Sequence, residues 1–334
     1  MRIAECLPMP REAVPGGMTV EIGLNAAIVA MVDRSPRILV VNDGGDGGRD
    51  ALPFGPFDPA VHRTFETSVR ARVEEQTALD LGYIEQLYTF GDRGRQRLAN
   101  EDRLHMVSVG YLALTRSDPE TTSHLAQAGV HWREWYVYLP WEDWRRGRPA
   151  VLDRVILPAL SVWEREDPGS RRSRLRLAFG LDDFPFDEER VLERYELLYE
   201  AGLVAESRSG TAGNGAETPS PSAGLPLGQA MRHDHRRIVA TAVARLRGKI
   251  KYRPVIFELM PPEFTLTRLQ EAVEAISGRH LHKQNFRRLV EGASLVEPTG
   301  MTTGGTGGRP AALFRFRRQI LDERPAPGLK LGTR

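Results

Sequence analysis

Eighteen residues near the middle of the chain, Ser207 to Gly224, read SRSGTAGNGAETPSPSAG and contain no large apolar side chain. Such a stretch buries too little surface to offset the entropy of ordering it. It is expected to be disordered and to divide the 334 residues into two bodies, in line with about 100–200 residues per domain. We place the first domain at 18–204, the linker at 205–229 and the second domain at 230–320. A hydrophobic content of 41% and a charged content of 27% are ordinary for globular protein, so each body can build its own core. A single cysteine, Cys6, excludes an intrachain disulfide and a cysteine-based zinc site. No run of about 18 apolar residues is present, so no membrane span is expected. Residues 1–17 are broken by Pro and Gly, carry Glu5, Arg11 and Glu12, and lack a signal-peptide core. The expected location is the cytoplasm.

The division is also one of charge. Pro226–Arg334 holds 20 Lys+Arg against 9 Asp+Glu, a net +11. That leaves 26 basic and 35 acidic residues in Met1–Leu225, a net −9, and the whole chain sums to +2. A basic half joined to an acidic half points to nucleic acid or another anionic surface.

The first half reads as mixed α/β. Thr19–Met31 and Arg37–Val41 are strand-like about a turn at Asp33–Pro36, and Asp43–Asp50 is a Gly/Asp loop. In His62–Gln76, Phe65, Val69 and Val73 form one helical stripe. Tyr83–Phe90, Met106–Thr115 and Glu134–Leu139 read as strands, Val151–Arg165 and Glu188–Ala201 as helices. All five tryptophans lie here and are assigned to core and interdomain packing.

The second half opens with a basic amphipathic helix, His235–Lys251, and a short helix or turn at Pro254–Met260. Thr265–Ser277 carries Leu266, Leu269, Val273 and Ile276 at helical spacing, with Thr265 or a Thr267/Gln270 capping box at its start and Gly278 at its end. A second helix follows at Lys283–Glu291. Two β-like segments, Ser294–Pro298 and Ala311–Arg317, flank a Gly-rich tip at Thr302–Gly308. Helix, Gly-containing turn, helix and ribbon is the winged helix-turn-helix arrangement, whose second helix enters the major groove. With Leu281, Phe286, Leu289 and Val290 inward, Lys283, Gln284, Arg287 and Arg288 face outward. Arg pairs with guanine O6 and N7, and Gln or Asn with adenine N6 and N7. Asn285 is either a base reader or a helix-capping contact. Arg309 on the wing is placed near phosphate or in the minor groove, and Arg315, Arg317 and Arg318 add general attraction. The alternative is a winged-helix module that binds protein.

In the first half, a turn at Leu52–Gly55 precedes a helix carrying Arg70, Ala71, Glu74 and Glu75. This resembles the Nudix box, in which carboxylates at i and i+4 hold Mg²⁺ against a diphosphate. Here the i position is Ala71, Val61–His62 stands where the upstream Glu should be, and the Gly55–Arg70 spacing is one residue longer than usual. Without that cluster the domain should polarise phosphate poorly, so no catalytic residue and no metal ligand are assigned and little or no hydrolysis is expected.

Together with this degenerate box, YIEQLYTFGDRGR from Tyr83, YVYLPWEDWRRG from Tyr136, DHRRIVATAVARLRGKIKY from Asp234, FTLTRLQEAVEAISGRHLHKQNFRRLV from Phe264 and GGRPAALFRF from Gly307 resemble the NrtR-type regulators. These are Nudix-related transcriptional repressors of NAD biosynthesis genes. The resemblance spans roughly Thr19–Arg318, is most specific in the second domain, and leaves the linker as an insertion. It implies a Nudix-like α/β/α sandwich with a mixed sheet, followed by a winged helix-turn-helix. It further implies a homodimer on palindromic operator DNA, with the first domain sensing ADP-ribose or a related nucleotide rather than cleaving it, and with no required cofactor. By the same resemblance Arg70, Glu74 and Glu75 line the effector cleft, and Phe90, Asp92 and Arg95 contact adenine, ribose or phosphate. Arg70 could equally pair with a helix carboxylate, and Phe90 could be core. Two other functions stay open at this point: a hydrolase of ADP-ribose or another nucleoside diphosphate derivative, and a protein-binding scaffold.

Overall fold

The computed structural model describes residues 19–42, 48–77, 79, 81–92, 104–117, 125–126, 129–209, 227–303, 310–323 and 328–329. The first two strands, β1 (Thr19–Val32) and β2 (Ser35–Val41), form a hairpin. Its two-residue loop, Asp33–Arg34, has both residues at positive φ (49° and 64°), the backbone that matches the twist of paired strands. The turn is thus tighter than the expected Asp33–Pro36. A short β3 (Phe54–Pro56) pairs with β1, and helix α1 (Phe65–Thr77) follows. Strands β4 (Tyr83–Phe90), β5 (Leu104–Leu114) and β6 (Val130–Glu134) complete a sheet of order β4-β5-β1-β2-β6. β1 runs parallel to β5 and antiparallel to β2 and β3, so the sheet is mixed.

Side chains alternate across β1. Ala26, Ile28 and Ala30 join Val109, Tyr111 and Ala113 under Val69 and Val73 of α1. Ala27 and Val29 join Leu112 and Leu114 on the other face, as a period of two dictates. Glu134–Leu139 is not a strand. The chain leaves β6 at Glu134 and winds into 3-10 turns at Trp135–Val137 and Pro140–Glu142. Trp135, Tyr136, Tyr138, Leu139 and Trp141 are all buried there.

A helical block follows. A π turn at Leu152–Ile156 runs into α2 (Leu157–Glu164), then come α3 (Pro168–Phe179), α4 (Val191–Glu200) and a short α5 (Ala205–Ser209). The sequence pattern does not announce α3, which is rich in arginine and buries only Leu175, Ala178 and Phe179. The expected linker is also too wide. Its start is helical in α5, where Glu206 is buried against Arg236, and Leu227 near its end is buried. Residues 210–226 lie outside the described residues.

Helix α6 (His235–Tyr252), expected as the basic opening helix of a separate domain, packs instead on the second face of the sheet. Ile238, Val239, Ala242, Val243, Leu246 and Ile250 are buried there. Gly110 on β5 leaves room for it, since a Cβ there would come within 3.2 Å of both Ile238 Cγ2 and Phe90 Cε2. The sandwich is therefore closed by a helix from beyond the expected linker.

After a 3-10 turn at Val255–Glu258, α7 (Leu266–Ser277) starts at Thr265, whose hydroxyl accepts from Arg268 N at 3.1 Å. This settles the cap on Thr265. The helix ends at Gly278 in the left-handed region (φ 74°). Helix α8 (Lys283–Ala293) and the hairpin β7 (Val296–Thr302) and β8 (Ala312–Phe316) complete the winged helix. Phe257 stacks on Phe316 with ring centroids 4.4 Å apart and seats the wing. One hydrophobic core runs from Val29 in the sheet through α6 to Phe286 and Val290 in α8.

Candidate nucleic-acid interface and nucleotide-binding domain

Helix α8 presents two faces. Phe286 and Val290 are buried, whereas Lys283, Gln284, Asn285, Arg287 and Arg288 are all exposed. A buried stripe of two apolar residues fixes the rotation of the helix, so the outward set follows from it. Asn285 Oδ1 accepts from Arg288 Nη2 at 2.9 Å. Its side chain therefore contacts the neighbouring guanidinium rather than capping the helix, a contact the sequence reading did not offer. The turn into α8 is stiffened by Glu274, which accepts from Leu281 N at 2.8 Å, and by Gln270, which donates to Leu281 O at 2.8 Å. On the wing, Arg315 pairs with Glu297 and Arg317 with Glu323. Arg309 lies outside the described residues.

In the sheet domain the expected effector residues do not converge. α1 lies on one face of the sheet, and Phe90 belongs to the core of the other. Arg70 donates to the carbonyls of Leu81 and Gly82 and pairs with Glu66 at 3.0 Å. It ties α1 to the approach to β4. Glu74 and Glu75 are exposed on α1, and Arg72 lies 3.7 Å from Glu75. Phe90 is 3% exposed, with Arg237 stacked 5.0 Å over its ring. Asp92 pairs with the same Arg237, which also holds Glu196 and Asp234. Arg95 lies outside the described residues.

The Nudix fold implies Mg²⁺, and the donor set of α1 does not fit it. Ala71 supplies no oxygen, Glu66 is engaged by Arg70, and Arg72 sits beside Glu75. Gly55, the glycine before the helix, faces Arg72, whose Nε would lie 2.6 Å from a Cβ at that position. A guanidinium therefore fills the space beside the box glycine, and its positive charge opposes a cation there.

The electrostatics of the domain lie in its interior, a feature that sequence reasoning missed. Asp50, wholly buried at the end of the loop before β3, accepts from Tyr138 Oη at 2.6 Å and Asn42 Nδ2 at 3.1 Å. Burial and that carboxylate push the Tyr138 hydroxyl far above its ordinary range. His235 Nδ1 accepts from Leu52 N at 2.9 Å, which leaves the neutral ring with its proton on Nε2. Burial holds it neutral, helped by nearby His233 and Arg232, so its pKa lies well below the usual imidazole value. Glu142 is buried between Arg194 (2.6 and 2.8 Å) and Arg247 (2.7 Å). Burial alone would raise its carboxyl, but the two guanidinium groups hold it below the carboxylate range. The signal for this network was present in the sequence as Arg and Glu within apolar runs, but single positions do not name their partners.

Residues 256–316 match the model of the NrtR DNA-binding winged helix domain. A curated relative, the ADPR responsive transcriptional repressor NtrR of Acinetobacter baylyi, is 43% identical over 89 residues, which are 27% of this chain and 35% of the relative. The match thus spans about a third of that relative's length. Among solved structures, Shewanella oneidensis NrtR complexed with a 27mer DNA superposes with a TM-score of 0.53 at 20% identity, over 90% of this chain and 95% of that one. A second structure of Shewanella oneidensis NrtR gives 0.50 at 21% identity, over 89% of this chain and 94% of that one. These two likenesses are of fold, and they cover the sandwich as well as the winged helix. Residues 256–316 are thus similar to the NrtR winged helix, and the fold of the chain is similar to that of the solved NrtR structures.

Proposed function

We propose that the chain is a DNA-binding transcriptional repressor of NAD biosynthesis genes. Its winged helix reads operator DNA through Lys283, Gln284, Arg287 and Arg288, with Asn285 orienting Arg288 and Arg309 on the wing. The observation that carries this reading is the exposed basic and amide face of α8, held outward by buried Phe286 and Val290. It supplies the donors and acceptors that base edges require. Two copies on a palindromic operator suit the two-fold logic of such readers.

The Nudix-like domain senses ADP-ribose or a related nucleotide and does not turn it over. The name of the Acinetobacter relative supports the ligand class, and the unsuitable donor set of α1 supports the absence of hydrolysis. Glu74 and Glu75 on α1 remain exposed positions for the effector, whereas Asp92 is engaged by Arg237. Arg70 serves the scaffold that presents the two glutamates, Phe90 belongs to the core of the other face, and Arg95 lies outside the described residues. Effector and DNA are then linked by a coupling free energy, and each changes the affinity of the other by the same factor.

Fluorescence anisotropy on DNA from upstream of NAD-synthesis genes, with a scrambled control and with and without ADP-ribose, tests both parts. Specific binding shifted by ADP-ribose is expected. Failure to prefer those promoters over the scrambled duplex refutes the repressor. Mg²⁺-dependent release of AMP from ADP-ribose would instead favour a hydrolase.

A further inference from the structure

The carbonyls at the end of an α-helix lack partners within the helix. In α7, the first helix of the helix-turn-helix, Glu274 O is capped locally by Gly278 N at 2.9 Å. The next groups are capped from outside the winged helix. Ala275 O accepts from Tyr136 Oη at 2.7 Å, Ile276 O from Arg247 Nε at 2.9 Å, and Gly278 O from Trp144 N at 2.6 Å. Tyr136 and Trp144 belong to the segment that follows β6, and Arg247 to α6. Two of these donors are tied to Glu142, Arg247 directly and Tyr136 through Arg247. Arg247 Nη1 binds its carboxylate at 2.7 Å, and Arg247 Nη2 binds its backbone carbonyl at 3.0 Å and Tyr136 Oη at 3.3 Å. Arg194 closes the other side of the carboxylate.

Gly278 shows how closely the parts fit. A Cβ there would lie 2.5 Å from Glu142 O, 2.6 Å from Arg247 Nη2 and 3.0 Å from Tyr136 Oη. Beyond the glycine, Arg279 reaches Glu188 at 3.4 Å. Glu274 binds Leu281 N and lies 3.1 Å from His280 Nδ1, so the turn into α8 is also held. At the far end, Tyr138 lies two residues from Tyr136 and donates to buried Asp50, on the loop that leads to β3 and α1. A continuous path of hydrogen bonds and short backbone links therefore joins the approach to the Nudix-like helix with the turn before the recognition helix.

We infer that Tyr136 and Arg247, anchored on buried Glu142, are positioning residues for DNA reading: they fix α7 and α8 to the sheet domain and convey its ligand state to them. The inference rests on the proposed function. Its physical basis is that a helix end held by three donors, two of them on the buried residues Tyr136 and Arg247, moves with the body that carries those donors. A helix capped by water would be free of it.

The test uses the full chain and a duplex selected from a random-sequence pool by the wild type. Anisotropy gives the ratio of DNA dissociation constants with and without ADP-ribose. Tyr136→Phe keeps the ring and removes only the hydroxyl. Ile156→Val, a core truncation outside the joint, controls for lost stability, with thermal unfolding run on each. The wild-type ratio should fall by about 2- to 30-fold in Tyr136→Phe and stay unchanged in Ile156→Val. A Tyr136→Phe ratio within twofold of wild type overturns the inference and leaves the repressor reading standing. A wild type that ADP-ribose does not affect overturns the sensing reading, and this inference with it. Hydrogen exchange of the 274–282 amides in the wild type needs no variant. ADP-ribose should change it, and unchanged exchange there also overturns the inference.

Discussion

Two buried ionisable residues set the expectations at the scale of single side chains. His235 is neutral in the fold because burial disfavours its charge, and its pKa is depressed. In the unfolded chain it takes up a proton as pH falls through about 6.5. Its contribution is thus intact above that value and is lost as pH drops below it, by at most about 1.4 kcal/mol per pH unit until the folded pKa is reached. The thermal midpoint of the wild type should fall between pH 7.5 and 5, and His235→Gln should flatten that slope. A parallel decline in both proteins would show that other groups carry it. Glu142 is the opposite case, an ionised carboxylate between two buried guanidinium groups. Glu142→Gln leaves Arg194 and Arg247 without their counter-charge, and removing one member of such a set costs about 3–5 kcal/mol. Chemical denaturation should show a lower midpoint with little change in slope.

At the scale of elements, the predictions concern the helix-turn-helix. Arg287 is exposed on α8, and Arg287→Ala should cost about 1–3 kcal/mol of operator binding and relax specificity at one base pair if it reads a base. A uniform loss across sequences would assign it to phosphate. Gly278 combines φ 74° with backbone 2.5 Å from the site of a Cβ. Gly278→Ala should destabilise by at least about 1 kcal/mol, seen as a lower thermal midpoint, because neither Glu142 O nor the guanidinium of Arg247 can withdraw. The 3-10 turns after β6 show why the element reading failed there. A run of five buried large residues resembles a strand, but here it is a knot of aromatic rings between sheet and helices.

At the scale of the molecule, much of the charge asymmetry is internal. Arg236, Arg237, Arg245, Arg247, Lys249 and Lys251 of α6 pair with Glu206, Asp92, Glu196, Glu85, Glu142, Glu188 and Glu189 of the acidic half. Among the described residues, Lys283, Arg287 and Arg288 of α8 stay exposed and offer their charge to DNA. Five to eight phosphate contacts per site would give a slope of log K against log salt of about −5 to −7. A flat salt dependence would favour a protein-binding scaffold. The same pairing predicts that a fragment of residues 230–334 does not melt cooperatively on its own, since α6 would expose the apolar face it buries against β1, β4 and β5. A sharp calorimetric transition in that fragment would show it to be an independent domain.

Local chemistry made the winged helix legible from sequence. Thr265, Gly278, the apolar spacing of α7 and the Phe286/Val290 stripe of α8 act within a few residues of one another, and the structure has them in those roles. Four strands of the sheet, β1, β2, β4 and β5, were legible for the same reason, whereas β3 and β6 were not. The assignment of α6 to the sandwich was not, nor the division of labour among Arg70, Phe90 and Arg237. These depend on partners distant in sequence, and a charged residue carries no local mark of whether it meets water or an opposite charge. The sequence by itself determined the long strands, the helices of the helix-turn-helix and which of them turns basic side chains outward. Only the tertiary structure decided that the acidic and basic halves neutralise each other across α6, and that the helix-turn-helix is capped by the sheet domain. Buried ion pairs and helix-end carbonyls find their partners through space, not along the chain.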